Sequence, residues 1–418
     1  MNIIFLTLVR TANIEERGIY SDLMRKFRDE GHHVYIVSPC ERRMEHDTSL
    51  YENHGVTMLN VKTLNIQKTN LIEKGIGTLL IERQFQKAIE KYLGNVKFDL
   101  ITYSTPPITF TNVVKYLKKK NPNAISYLQL KDIFPQNAVD LGMFAEKSLF
   151  NWFFRRKEKN LYHVSDYIGC MSPANVKYVL DHNPEVEANK VEVAPNSIEL
   201  CASKNPVTAM TDSVNVLQVQ NERYYIRKKY DLPINKPIFI YGGNLGKPQG
   251  IDYLVKCLDA VKSRTDCYFV VVGSGTEKNK LDSWCDRQVH DDNLAVKVMN
   301  YMPKEDYDSL VKYCDVGLLF LDHRFTIPNY PSRLLSYLEN KMPIICATDV
   351  NTDIGKIAEQ NGYGYWCESV KPIDFTVLVD RFLAEPERMK TMGERGYEFL
   401  KKNYLVDHTY EVIMKHFK

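Results

Sequence analysis

A hydrophobic run that ends in glycines and restarts as an amphipathic helix leaves a chain few options for its fold. Here the run is Ile238-Phe239-Ile240-Tyr241-Gly242-Gly243-Asn244-Leu245-Gly246-Lys247-Pro248-Gln249-Gly250. Its first four residues predict a buried strand, and its glycines and proline predict a tight turn. Ile251, Leu254, Val255, Leu258 and Val261 then fall on one helical face. Glycine has no Cβ, so a bulky anion can approach the backbone. Amides at a helix start, with the positive dipole end, suit a phosphate. The spacing is neither Gly-x-Gly-x-x-Gly nor a P-loop ending in Gly-Lys-Ser/Thr. We read the turn as a seat for a nucleotide diphosphate, with a plain tight connection as the alternative.

The same alternation recurs along the chain. Ile3–Leu8 reads as a strand, Ile19–Glu30 as a helix and Val34–Ser38 as the next strand. Further strands are expected at 99–103, 125–130, 167–170 and 191–193, with helices between them. Strand–helix–strand units predict parallel sheets, doubly wound. Ligands of such sheets sit at the carboxyl ends of the strands, which directs attention to the loops after Leu8, Tyr103, Leu130, Cys170 and Val193. The loop after Leu130 carries Lys131 and Asp132 ahead of Pro135. They are read as catalytic polar groups, against a turn-capping role for Asp132. Arg10, Ser172 and Asn196 are candidates for acceptor or cleft contacts, and Ser172 fits equally as a helix cap.

Composition narrows the function. At 418 residues the chain holds two or three domains. A net charge of +3 gives no ground for nucleic-acid binding. The nine cysteines include no Cys-x-x-Cys pair, which suits a reducing cytoplasm better than disulfides or zinc. Cys267, Cys314 and Cys346 read as small core residues. No apolar run is long enough to span a bilayer, and the N-terminus reads as a strand, not a signal peptide. Two stretches could meet a membrane surface. Leu71–Leu93 mixes aliphatic residues with cations, and Phe150–Lys157 sets four aromatics beside three cations. Consecutive aromatics cannot all face one core, so the second stretch is the better candidate.

In the second half, residues 202–220 read as a polar connection and 221–230 as a basic helix. After the glycine turn come a strand at 267–272, Gly273-Ser274-Gly275, a strand at 296–299 and a helix at 304–313. Asp306-Tyr307-Asp308 resembles a metal-holding Asp-x-Asp. It stands in a first helical turn, where acids are favoured anyway, and no metal is expected. A strand at 316–321 leads to Pro331-Ser332-Arg333, which opens a helix. Arg333 should project toward the same crevice as the glycine turn, where it and Lys247 would grip a diphosphate.

Together these residues resemble the GT-B glycosyltransferases, and specifically the retaining family 4 enzymes of bacterial surface-polysaccharide assembly. The resemblance covers nearly the whole chain. Its carriers are residues 241–250, Val272-Gly273-Ser274-Gly275, Tyr313–Leu319, and Pro331–Leu338 with Pro343. Lys131-Asp132-Ile133-Phe134-Pro135 is similar to the Arg-Asp-x-x-Pro segment of the subgroup that includes the N-acetylfucosaminyl transferases.

The resemblance implies an α/β GT-B fold: two doubly wound Rossmann-like domains with an interdomain cleft. Expected boundaries are an acceptor-binding domain at 1–202, a linker and lead-in helix at 203–232, a donor-binding domain at 233–395, and a helical segment at 396–418 packing across the interface. A nucleotide-sugar donor, a UDP-sugar rather than a GDP- or dTDP-sugar, would contact Gly242, Gly243, Asn244, Gly246, Lys247, Gln249, Gly273, Ser274, Pro331, Ser332, Arg333 and Ser336. The acceptor would be a lipid-linked glycan at the inner face of the cytoplasmic membrane, in capsule or O-antigen synthesis, with no cofactor. The family's Glu-x7-Glu pair is replaced by Pro328 and Ser336, and its loop lysine by Gln249. Two other readings stay open: a nucleotide-sugar 2-epimerase of the same architecture, and a catalytically silent sugar-nucleotide-binding subunit.

Overall fold

The computed structural model describes residues 1–66, 71–200, 212–290 and 293–418. The chain forms two compact units. One comprises Met1–Glu199 with Thr326–Tyr330 and Tyr404–Lys418; the other comprises Leu200–Phe325 with Pro331–Asn403.

The first unit is built on an eight-stranded sheet. Its strands are β1 (Asn2–Leu6), β2 (His33–Glu41), β3 (Ser49–Asn53), β4 (Val56–Thr63), β5 (Leu100–Ser104), β6 (Ile125–Leu130), β7 (Tyr167–Cys170) and β8 (Val191–Val193). Their order is β3-β4-β2-β1-β5-β6-β7-β8. Every pairing is parallel except β3 with β4. The β3–β4 hairpin extends the sheet where the sequence reading placed no strand. The edge strand β3 carries no buried residue, so it shows no apolar run. One core cluster of this unit gathers Ile3, Phe5, Leu23, Phe27, Val34, Ile36, Val56 and Met58. Val406 and Ile413, from the far end of the chain, complete it.

The second unit has six parallel strands, β9 (Ile238–Asn244), β10 (Tyr268–Ser274), β11 (Val296–Met299), β12 (Val316–Phe320), β13 (Ile344–Thr348) and β14 (Gly364–Glu368). Their order is β11-β10-β9-β12-β13-β14. The chain winds outward from β9 through β10 and β11, then returns to the other side of β9 as β12. The carboxyl ends of β9 and β12 therefore flank the switch point, where such sheets open a crevice. The helix Asp212–Lys229 begins well before the expected 221, and residues 203–211 of the expected linker lie outside the described residues. From this helix the fully buried Arg227 donates to the Tyr313 carbonyl at 2.9–3.0 Å and to Asp315 at 2.7 Å. Asp315 also accepts from the Ile238 amide at 2.7 Å. This buried ion pair fixes where β9 starts. Cys267, Cys314 and Cys346 are buried, as expected, and all described cysteines are free.

Candidate functional site

The strand leading into the glycine turn is longer than the hydrophobic run. β9 continues through Gly242, Gly243 and Asn244 because these pair in register with Val272, Gly273 and Ser274 of β10. That register needs glycine on both sides. A Cβ on Gly273 would stand 2.0 Å from the Gly243 carbonyl oxygen, and one on Gly242 would stand 1.9 Å from the Tyr307 hydroxyl. The two loops are then tied by bonds from Leu245 N to Ser274 O and from Glu277 N to Leu245 O, both 2.9 Å.

Within the turn, a short helical segment at Lys247–Gln249 is followed by Gly250 at φ +59°. Glycine is required there by conformation and by space, since its Cβ would meet the Asp322 backbone at 3.2 Å. Two expectations are corrected. The amides of Leu245, Gly246, Gln249 and Gly250 are not free for a ligand, because they are hydrogen bonded inside the protein. Gln249 is not aimed outward either. Its Oε1 accepts from Asn244 Nδ2 at 2.9 Å and from Gly246 N at 3.2 Å. Gln249 thus caps the turn from within, and the Asn244 amide is occupied with it.

Charge at the site comes from two cations. Lys247 is exposed and has no ion-pair partner among the described residues. Arg333 opens the helix Arg333–Glu339, which follows β12. Its guanidinium lies over the Tyr241 ring, with Cζ 4.3 Å from the ring centre. The same carbon would be 3.4 Å from a Cβ on Gly243, whose φ is +124°. The two stretches, about ninety residues apart in sequence, therefore meet. Burial opposes the Arg333 charge, but the tyrosine oxygens of Tyr241, Tyr337 and Tyr307 outweigh it and raise its pKa. Arg333 Nη1 is shielded from solvent without a hydrogen-bond partner among the described residues.

Tyr337, one turn on, donates toward the Ile240 and Leu318 carbonyls at 3.2 and 3.3 Å and accepts from Gly242 N at 3.3 Å. It stitches the helix to the ends of β9 and β12. Ser336 lies on the same side of this helix as Arg333. Ser332 is exposed and makes no capping bond with its side chain, and Pro331 is half-buried. Ser274 is exposed, in register with Asn244.

Asp306 and Asp308 have other partners. Asp306 binds Lys229 at 2.8 Å and Tyr230 at 3.1 Å, and Asp308 binds Lys304 at 2.8 Å. The residue of that motif that reaches the site is the central one: Tyr307 packs beneath Gly242 next to Arg333.

In the first unit, Lys131 and Asp132 follow β6. Thr105 fixes their backbone, its Oγ1 accepting from Lys131 N at 2.9 Å and Asp132 N at 3.1 Å and donating to Asp132 O at 3.1 Å. The adjacent side chains do not work as a pair. Lys131 Nζ reaches the Ala194 carbonyl at 3.5 Å, beyond β8. Asp132 instead receives Asn137 Nδ2 on both oxygens, at 2.9 Å each, and the Ile133 backbone amide, and faces Tyr20. Burial pulls the Lys131 ammonium down to about 7. Burial likewise pushes the Asp132 carboxyl up to about 6, against the Asn137 bonds. Neither Thr105 nor Asn137 was singled out from sequence.

Ser172 is buried, and its hydroxyl caps the helix Pro173–His182 by accepting from Asn175 N at 3.4 Å. The cap reading holds there. Asn196 is buried with Oδ1 unpartnered among the described residues. Arg10 is exposed, with Nη1 3.3 Å from Met44 Sδ.

The helix Leu149–Val164 divides its aromatics. Phe154 packs against Phe134 and Phe153 with ring centres 5.1 and 5.2 Å apart. Leu149, Phe150 and Trp152 are instead 84%, 70% and 62% exposed. Arg156 sits over the Trp152 ring and Lys157 over Phe153. Among the described residues, no helix is long and apolar enough to cross a membrane.

Residues 223–399, which contain all of this second-unit site, match the family described as glycosyl transferases group 1. That segment is similar to the group 1 glycosyltransferases. Two curated relatives are similar to the chain. “Putative colanic acid biosynthesis glycosyl transferase WcaI” of Escherichia coli (strain K12) is 23% identical over 205 residues, 48% of this chain and 45% of that one. “Probable glycosyltransferase WbjE” of Pseudomonas aeruginosa is 22% identical over 284 residues, 66% and 64% of the two chains. The matches thus span about half to two-thirds of the relatives' lengths.

The fold is shared more widely. Sucrose-phosphate synthase from Thermosynechococcus elongatus superposes with a TM-score of 0.73 at 14% identity, covering 99% of this chain and 98% of that one. Anabaena Alr3699/HepE, solved in complex with UDP, gives 0.67 at 12% identity, with 100% and 99% covered. The chain therefore has the GT-B fold: two Rossmann-like units, each on a largely parallel sheet.

Proposed function

We propose that this protein is a retaining glycosyltransferase that moves a sugar from a nucleotide-diphosphate donor to a lipid-linked glycan in surface-polysaccharide synthesis. The observation that carries the reading is the Arg333 guanidinium, stacked on Tyr241 and lying against Gly243, with an unsatisfied Nη1. A buried, charged donor without an acceptor is costly unless a ligand supplies one. A diphosphate supplies such an acceptor, and the absence of a side chain at Gly243 leaves it room.

In the proposed reaction the bond between the anomeric carbon and the diphosphate oxygen breaks, the electron pair leaves with the nucleotide, and the acceptor oxygen bonds to the anomeric carbon on the face the diphosphate vacates, which keeps the configuration. Arg333 and Lys247 stabilise the charge that grows on that leaving group. Asp132, in the first unit, takes the proton of the acceptor hydroxyl, a role for which a pKa of about 6 is suited. UDP is the favoured nucleotide, in line with the UDP that Anabaena Alr3699/HepE was solved with. The exposed Leu149, Phe150 and Trp152, rimmed by Arg156 and Lys157, support docking on the inner face of the cytoplasmic membrane, where a lipid-linked acceptor resides. The curated relative named for colanic acid biosynthesis supports a surface polysaccharide as the pathway, capsule or O-antigen included.

Titration with UDP, GDP and dTDP tests the donor site, and incubation of UDP-sugars with and without lipid-linked acceptor tests the reaction. The reading requires nucleoside diphosphate binding that depends on Arg333, and transfer that depends on acceptor. Epimer formation without acceptor, or no nucleotide binding, overturns it.

A further inference from the structure

The first unit contains a recess whose lining does not include Lys131 or Asp132. It is a cavity of about 420 Å³ bounded by Arg10 after β1, Cys40 on β2, residues 46–49 before and within β3, Tyr51 on β3 and Asn60 on β4. Its volume lies within the range of small-molecule sites.

Its lining holds one arginine and one carboxylate, and the two are not paired with each other. Arg10 has no carboxylate partner among the described residues; its Nη1 meets only the soft Sδ of Met44. Asp47 is engaged elsewhere, by Lys62 Nζ at 2.8 Å. Thr48 Oγ1 accepts from Lys62 N at 3.0 Å. Tyr51 accepts from Asn60 Nδ2 at 3.2 Å, which leaves its own hydroxyl proton available. Ser38 and Tyr51 together hold the Asn60 amide in place. The recess therefore offers one guanidinium without a carboxylate partner among the described residues, several hydroxyls, and one aromatic ring on β3. Hydroxyls and a ring face suit a pyranose, and a guanidinium fork suits a carboxylate.

We propose that this cavity binds an acidic sugar ring, a uronic-acid residue of the acceptor glycan, with Arg10 on its carboxylate. The inference rests on the reading that the first unit takes the acceptor. It adds to that reading a substrate class: a glycan carrying a carboxylated sugar. The Arg10 charge selects the acid, and the Ser49, Tyr51 and Thr48 hydroxyls read the ring.

The test is titration of the full chain with methyl glucuronide, methyl glucoside and inorganic phosphate, followed by ligand-observed NMR. The glucuronide should bind at least about tenfold more tightly than the glucoside or phosphate. Arg10→Ala and the cavity-filling Ser49→Trp should each abolish that binding, while both retain wild-type affinity for UDP. Equal binding of glucoside and glucuronide overturns the proposal. So does phosphate binding as tight as the glucuronide, which marks a plain anion site, or glucuronide binding that survives both substitutions. Absence of UDP binding in the unaltered protein would strike the donor reading alone, because the saccharide titration does not depend on it.

Discussion

The guanidinium carbon of Arg333 stands 4.3 Å from the centre of the Tyr241 ring, on the side facing Gly243. A planar cation on an aromatic face keeps its edge donors free for a ligand while its flat surface is held. Arg333→Ala should weaken UDP binding by about 1.5–3 kcal/mol, on the order of 10- to 150-fold in Kd. Arg333→Lys should recover part of this loss at most, since an ammonium neither stacks nor forks. Calorimetric titration checks both, and unchanged affinity in both variants would remove the site.

Gly273 has backbone where a side chain would go: its Cβ would stand 2.0 Å from the Gly243 carbonyl oxygen. Gly273→Ala should therefore part β9 from β10, lower thermal stability by about 1–3 kcal/mol and weaken nucleotide binding together. Ser274→Ala, at an exposed neighbour, should stay within about 0.5 kcal/mol of the unaltered chain. Equal melting temperatures for the two variants would contradict the pairing.

Asp132 titrates at about 6 because burial disfavours its charge, and Asn137 opposes that rise. In the proposed role of proton acceptor Asp132 must be ionised, so turnover should fall as pH drops through about 6. Asn137→Ala removes the bonds that favour the carboxylate and should move this acid limb to higher pH. A kcat profile from about pH 5 to about pH 8 reads the shift. Asp132→Asn should cut turnover while leaving UDP affinity unchanged.

Lys131 gives the opposite kind of signal, in stability. Its folded pKa of about 7 lies below the ordinary 10.5. Above a pH of about 7 the unfolded chain holds a proton that the folded chain has released, so stability should rise with pH through the window between those values. Lys131→Met should flatten that rise. Urea denaturation at several pH values across the window measures it, and an unaltered slope would show that the ammonium is better solvated than its surroundings indicate.

Replacing Leu149, Phe150 and Trp152 with serine should reduce co-sedimentation with anionic vesicles. UDP affinity and melting temperature should hardly change, because these side chains are exposed. Wild-type vesicle binding in the triple variant would remove this surface from the membrane reading.

Much of the fold and site was legible in the sequence where hydrophobic period and glycine placement coincide. The run at 238–241 ends in glycines because β10 and Tyr307 leave no room for side chains, and the meeting of Arg333 with that turn follows from strand-end loops. The edge hairpin β3–β4 was hidden because β3 buries nothing and β4 carries Asn60 and Lys62 among its apolar residues. The three tyrosines around Arg333 come from positions 241, 307 and 337, and no local pattern links them. Asp306 and Asp308 drew notice for their charge, although Tyr307 between them is the residue that reaches the site. Gln249 was readable in principle: glutamine three residues after Gly246 has the spacing of a capping box. Thr105, just after β5, and Asn137, on the short helix Gln136–Asp140, converge on Asp132 from separate elements, and no local pattern ties either to it.

The first unit draws Val406 and Ile413 into the same cluster as Phe5 and Phe27. On a ribosome, residues 1–199 emerge long before those two, and meanwhile must wait with part of their interior uncovered. A fragment ending near residue 200 should accordingly be prone to aggregation, and adding residues 404–418 as a separate peptide should rescue its solubility.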